Sequence, residues 1–398
     1  MHAVKLLHTL FQKSCESIDT RLLHTLFESA EALTRCKKLS IVSIGRSLNR
    51  KALVKHNIKC IDRLFGNSSL HKHHIIFYRS MSHHLLKNNL NPLIVVDWSG
   101  LTRCGAYHFL SASVTVKGRT LTLYNQVYPL SECYKNRTHH AFLKTLKSIL
   151  PEGCKPIIVT DAGFRNTWFK TVKCMGWDFV GRVRNLTHYR KKESNVWKPI
   201  KELYMQATYN ASYIGEAVLA KCNPLACHFY LSKQRKKHRV KRNLIGKKIQ
   251  SSMSKQHEKR ENEPWLIVSS LSAERLSANE VMLIYKKRMQ AEESFRDLKN
   301  TRYGLGLRHC RSYQTQRLNI ALLIATLAML TLWLFGIAAK VRKLHYTFQT
   351  NSEKNRDVLS NMFIGWQVLL RNEIRFDKNE LMAALQAVTI ATNWRIAS

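Results

Sequence analysis

Apolar residues recur along this chain with two different periods, and the change from one to the other divides it into segments. Up to about residue 88 there is no proline, and positions such as Leu6, Leu7, Leu10 and Phe11 recur at helical spacing. Residues 39–46 and 55–64 read as two short helices with a turn between them. From Asn91 the period shortens to that of strands. A buried strand ends at Asp97, and residues 107–116 and 119–127 alternate around Lys117-Gly118, a hairpin signal. Residues 139–150 predict an amphipathic helix, 155–160 a strand, 168–174 a helix and 178–183 a strand. Two more strands are expected at 206–213 and 227–232, and a last one at 265–270. Residues 277–300, without proline or glycine, predict one long helix, and residues 355–370 and 378–391 two amphipathic ones. Three antiparallel strands, a helix and further strands is the order of an RNase H-like domain. The fold class expected is therefore α/β: an RNase H-like core, a mixed sheet flanked by helices, with helical ends.

Two apolar runs share one design. Pro92-Leu93-Ile94-Val95-Val96-Asp97 and Pro156-Ile157-Ile158-Val159-Thr160-Asp161 each run from a proline through aliphatic residues to an aspartate. Runs of this kind suit strands buried on both faces, which puts Asp97 and Asp161 at carboxyl ends, where sites in α/β sheets collect. In an RNase H-like fold these two strands are neighbours, although the aspartates lie far apart in sequence. On the long helix, about 100° per residue brings Tyr285, Arg288, Glu292 and Lys299 within roughly 60° of one another. Glu293 and Asp297 point elsewhere, so Glu292 is the acid in basic company. A solvated basic helix would show the same charges without any site. Taken with the two aspartates, however, Glu292 completes three carboxylates able to share two Mg²⁺ ions, with Mn²⁺ as a substitute.

Composition narrows the partner. Lys and Arg number 65 against 26 acids, a net charge of +39 spread along 398 residues of which 45% are hydrophobic. Such a chain is globular and attracts polyanions, nucleic acid first and an anionic membrane surface second. The cysteines are scattered singly, and Cys222, Cys227 and His228 lack the second half of a zinc site. Unpaired cysteines without an export segment predict a reducing cytoplasm. Residues 320–339 carry no charge and could span a bilayer, but a helix apolar all round also suits a protein core, which is the expectation adopted, with no membrane partner.

Tyr285, Arg288, Glu292 and Lys299 match the Y-(2)-R-(3)-E-(6)-K signature, and Val96-Asp97-Trp98-Ser99 and Val159-Thr160-Asp161-Ala162-Gly163-Phe164 resemble the two aspartate boxes, of the IS4 family of bacterial DDE transposases. Residues 55–67 and Gly304-Leu305-Gly306-Leu307-Arg308-His309 are similar to the flanks of the Tn10/IS10 group within it. The resemblance implies an insertion-sequence enzyme that binds terminal inverted repeats, excises the element through a hairpin intermediate and joins it to target DNA. Asp97, Asp161 and Glu292 would be its catalytic metal ligands.

The implied organisation is a helical DNA-binding domain at 1–88, the core at 89–184 and 263–340, a β-rich basic insertion at 185–262 and a helical region at 341–398. The insertion includes residues 233–260, with twelve Lys or Arg. Duplex DNA is the partner, with a homodimer in the synaptic complex and a bacterial cytoplasmic, nucleoid-associated setting. Tyr285, Arg288 and Lys299 would grip phosphates, and Lys55, Lys59 and Arg63, spaced on one helix side, would reach the DNA ends. A hairpin forces a base from the stack, for which Trp265 is the candidate platform and Met289 the wedge; Trp98 reads more simply as core. Two other classes stay open at this level. An RNase H-like structure-specific nuclease would not require the Tyr285/Arg288/Lys299 stripe, and a non-enzymatic DNA-binding derivative would be expected to lack one of the acids.

Overall fold

Helical spacing at the start of the chain becomes α1 (Ala3–Phe11), α2 (Thr20–Cys36), α3 (Ile41–Arg46), α4 (Val54–Phe65) and α5 (Ser68–Leu85) in the computed structural model. The structure describes residues 3–102, 104–184, 186–235, 251–252, 262–350, 352–353, 356–371 and 373–393. Side chains cap three of these helices: Asp19 accepts from the Leu22 amide, Ser40 from Ser43 and Asn67 from Leu70. Next come β1 (Leu93–Gly100), β2 (Tyr107–Thr115), β3 (Thr120–Pro129) and α6 (Asn136–Ile149). They are followed by β4 (Ile157–Thr160), α7 (Asn166–Cys174), β5 (Asp178–Val183), β6 (His188–Lys191), β7 (Lys198–Pro199), β8 (Ser212–Leu219), β9 (Leu225–Ser232), β10 (Trp265–Ser269) and α8 (Ala278–Lys287). Last are α9 (Met289–Lys299), α10 (Thr315–Val341), α11 (Asn361–Leu369) and α12 (Lys378–Thr392). The order β1-β2-β3-α6-β4-α7-β5 makes this a mixed α/β protein consistent with an RNase H-like core.

The elements divide into two units, Met1–Pro156 with Met289–Ser398, and Ile157–Arg288. In the first, β1, β2 and β3 form an antiparallel meander whose tight turn places Gly118 at φ 78°, a value that favours glycine. Helix α10 is its axis. The helix has the length and apolarity to cross a membrane, yet 94% of its apolar window is buried inside the protein, as expected of a core helix. Its polar residues serve the sheet: Asn319 accepts from the Val127 amide of β3 at 2.9 Å. Helix α11 lies against α10 backbone to backbone, because a Cβ on Gly336 would stand 1.9 Å from the Asn361 carbonyl oxygen.

In the second unit β4 and β5 run parallel, and β10, β9, β8, β6 and β7 continue from β5 in antiparallel pairs. Phe169 of α7 stacks on Phe179 of β5 at 4.8 Å, and a Cβ on Gly181 would stand 2.4 Å from the Phe169 ring. That strand therefore needs a glycine where the helix crosses it.

Three sequence expectations change. The strand expected at 206–213 begins late, since Gln206 closes a 3₁₀ turn and β8 begins only at Ser212. The buried strand does not end at Asp97: β1 runs on to Gly100, which pairs with His108 of β2, because β2 extends the antiparallel ladder past the apolar run. The long helix is interrupted at Arg288, whose amide bonds back to the Tyr285 carbonyl in a tightened turn. The reason is packing: α8 buries Val281, Ile284 and Tyr285 in the second unit, while α9 buries Ala291, Ser294 and Leu298 in the first. Of the basic run 233–260, residues 236–250 and 253–260 lie outside the described residues.

Candidate active site

In the first unit, Asp97 follows four fully buried residues of β1, Leu93 to Val96. Strand alternation turns Asp97 and Ser99 to one face and Trp98 to the other. Their surroundings differ accordingly. Trp98 donates its Nε1 hydrogen to Nε2 of His139 on α6 at 3.2 Å and sits against Tyr128 and Tyr134, half-buried at the edge of the core and not within it as expected. Ser99 instead meets α9, accepting a 2.6 Å hydrogen bond from the Lys299 ammonium. The Asp97 Oδ1 accepts from the Trp98 amide at 2.9 Å.

Lys299 is held tightly for a lysine. Its Nζ lies 5.7 and 5.8 Å from the ring centres of Phe109 and Phe295. Burial first, and then the neighbouring Arg308, push its pKa down to about 8 against the opposing pull of Asp97. Glu292 precedes Lys299 by two helical turns and so shares its face of α9, the helix that packs on β1, β2 and β3. The other acids of α9 are engaged elsewhere. Glu293 pairs with Arg296 at 2.7 Å, and Asp297 pairs with Arg119 at 2.8 Å. Burial raises the Asp297 carboxyl pKa against the pull of Arg119. Met289, half-buried, opens the same helix.

In the second unit, Asp161 leaves β4 in a tight turn, its Oδ1 accepting from the Gly163 amide at 2.8 Å. Thr160 pairs in register with Gly181, which brings Asp161 level with Arg182 of β5. Tyr285, 4% exposed, meets the half-buried Trp265 edge-on with ring centres 4.9 Å apart. Burial raises the Tyr285 pKa; Arg288, Arg182 and Arg184 lower it, and Asp161 adds to the rise. Asp161, Tyr285, Arg288 and Trp265 are therefore gathered within one electrostatic neighbourhood of this unit.

Arg182 and Arg184 belong to that neighbourhood, and sequence reasoning did not single them out. Arg182 is 7% exposed, donates to the carbonyls of Glu263 and Pro264 at 3.2 and 3.4 Å, and lies 5.8 Å from the Trp265 ring centre. Burial, then Arg184, pushes its pKa down to about 10. The signal available was a cation within the apolar strand Phe179-Val180-Gly181-Arg182-Val183. Ser99 carried no signal at all, since a serine after a strand aspartate is commonplace.

Lys55, Lys59 and Arg63 form an exposed row on α4, which packs on α2, α3 and α10. Helices α3 and α4 touch closely, because a Cβ on Gly45 would stand 2.6 Å from the Ile58 Cα. Each of the acids expected as metal ligands, Asp97 and Glu292 in the first unit and Asp161 in the second, carries carboxylate oxygen only, a donor suited to a hard divalent cation and not to zinc. Among the described residues no group of three or more His, Cys, Asp or Glu side chains gathers as a metal site.

No curated protein matches this chain. Solved structures similar to it include a piggyBac transposase synaptic complex with hairpin DNA, seen by cryo-electron microscopy, at 12% identity and a TM-score of 0.39, covering 96% of this chain and 80% of that one. The family model for the transposase DDE domain matches residues 88–330, more than half of the chain. The strand aspartates and the helix glutamate all fall inside that span, and the chain belongs to the transposase DDE domain family, as a DDE transposase acting in DNA transposition.

Proposed function

We propose that this transposase serves an insertion sequence of the IS4 type, near the Tn10/IS10 group, binding terminal inverted repeats and excising the element through a DNA hairpin before joining it to target DNA. Domains of this family depend on divalent metal. Asp97, Asp161 and Glu292 would hold two Mg²⁺ ions, with Mn²⁺ able to substitute; when bound, these activate the attacking oxygen and neutralise the leaving one. The observation that carries the reading is the α9 face of Glu292 and Lys299 lying on the strand that bears Asp97 and Ser99.

Around those acids the chain's own groups supply positioning. Lys299 and Arg288 would hold phosphates, the first as a point charge and the second bidentately, with Tyr285 donating its hydroxyl. Trp265 offers a face to a base unstacked in the hairpin, and Met289 is the candidate wedge. The exposed row Lys55, Lys59 and Arg63 would read the repeat ends from the helical segment 1–88, and the basic insertion 185–262 would grip backbone. The working form on DNA would be a homodimer at the nucleoid, with no membrane partner.

A labelled transposon-end duplex incubated with protein and Mg²⁺ tests this. Nicked, hairpin and broken products should appear in that order. Alanine at Asp97, Asp161 or Glu292 should abolish cutting while end binding persists, and Glu293→Ala should be mild because Glu293 only pairs with Arg296. Trp265→Ala should slow hairpin steps about 5- to 150-fold, the worth of one stacked base. Wild-type protein that nicks but never forms a hairpin would point to the structure-specific nuclease instead. A dead Glu293→Ala beside an active Glu292→Ala would sink the assignment of the helix face.

A further inference from the structure

The hydrogen bond between Lys299 and Ser99 joins residues 200 apart in sequence, at 2.6 Å, in a partly buried place. Ser99 is 7% exposed and shares the strand face of Asp97. A lysine on an exposed helix face normally samples many rotamers. This one is held at its tip by the serine and flanked there by the Phe109 and Phe295 rings, whose centres lie 5.7 and 5.8 Å from the ammonium nitrogen. Phe295 is itself set by an edge-on contact with Phe109, with centres 5.4 Å apart. Arg308 stands near enough to repel the ammonium, and Asp97 near enough to attract it. The serine hydroxyl is thus the acceptor that decides where between them the charge rests.

We propose that Ser99 is a positioning residue that parks the Lys299 ammonium beside Asp97 before DNA arrives, so that the phosphate at the cut site meets a preformed cation. The inference rests on the phosphate-holding role given to Lys299 in the proposed function. Preorganisation of this kind raises the rate of the chemical step without tightening end binding, because the cost of ordering the lysine is met during folding. It also gives the position two after the first aspartate a chemical requirement: a hydroxyl acceptor of short reach. Threonine satisfies it, whereas alanine and cysteine do not.

The test is single-turnover cleavage of a saturating labelled end duplex with Mg²⁺, alongside end-binding affinity and thermal melting. Ser99→Ala should cut about 10- to 100-fold more slowly, the usual worth of a hydrogen bond to a charged group, with affinity and melting near wild type. Ser99→Thr should recover most of the rate, and Ser99→Cys, which keeps the volume but weakens the acceptor, should behave like alanine. In a Lys299→Gln background, Ser99→Ala should cost nothing further. Should alanine disturb folding, the threonine and cysteine pair decides the matter, and equal rates for the two overturn the proposal. So does a Ser99→Ala penalty of the same size with and without Lys299. Wild-type protein that leaves the end uncut overturns this role and the function together, whereas active wild type with fully active Ser99→Ala overturns only the role of Ser99.

Discussion

His139 shows how one buried side chain ties the fold to pH. It is 6% exposed and accepts from the Trp98 indole, so its Nε2 must be unprotonated, which leaves the ring proton on Nδ1. Burial pushes its pKa down from 6.5 to about 4. Below pH 6.5 the unfolded chain therefore takes up a proton that the folded chain refuses. Stability falls as the pH drops towards 4 and is unaffected by this residue above 7. The full loss is of order 3 kcal/mol. Melting temperatures between pH 7 and 5 should decline more steeply for wild type than for His139→Gln, which can still accept from Trp98 but cannot titrate there. Parallel declines would show that His139 is not the group responsible.

Among the elements, the packing of α10 on α11 is the contact with least tolerance. Cβ atoms on Gly336 and Gly365 would each stand 1.9 Å from a carbonyl oxygen of the facing helix, so neither neighbour can yield without moving backbone. Gly365→Ala should destabilise the first unit by about 1–3 kcal/mol, the cost of forcing a well-packed contact apart, despite alanine's better helix propensity. Chemical denaturation measures it, and a stabilised Gly365→Ala would refute the close approach. Helices α8 and α9 illustrate the opposite tendency. Their sequence favours one continuous helix, yet each half buries its apolar residues in a different unit, and the turn at Arg288 marks the change.

For the whole molecule, charge dominates its dealings with solvent and partner. A net charge of +39 cannot be neutralised within the protein, since there are only 26 acids for 65 Lys and Arg. Binding to unrelated duplex DNA should weaken steeply with salt, with a log–log slope of several units if several phosphates are neutralised, each adding about 0.9. Fluorescence anisotropy across a salt series gives that slope. A flat response would mean that the charge does not serve DNA. The burial of α10 bears on the other polyanion, the membrane surface, only so far as to show that its one long apolar helix among the described residues is used as core.

The local pattern of residues was enough to place Asp161 at a strand end and Asp97 on a buried strand, though not at its end, to set Glu292 apart from Glu293 and Asp297 on its helix, and to mark α10 as buried. Strand and helix periods are properties of neighbouring residues, and a strand's apolar run records burial on both its faces. What the sequence could not decide depends on residues far apart. The strand expected at 206–213 began late because a 3₁₀ turn occupies Ile200–Gln206, and the long helix broke because its two halves answer to two different cores. Arg182 looked like one cation in an apolar strand until β5 met β10 and α8, and Ser99 looked like any serine until α9 laid Lys299 on it. Periodicity fixes which face a side chain takes, but only packing chooses the partner on that face. For Ser99 that partner lies 200 residues away, beyond the reach of any local rule.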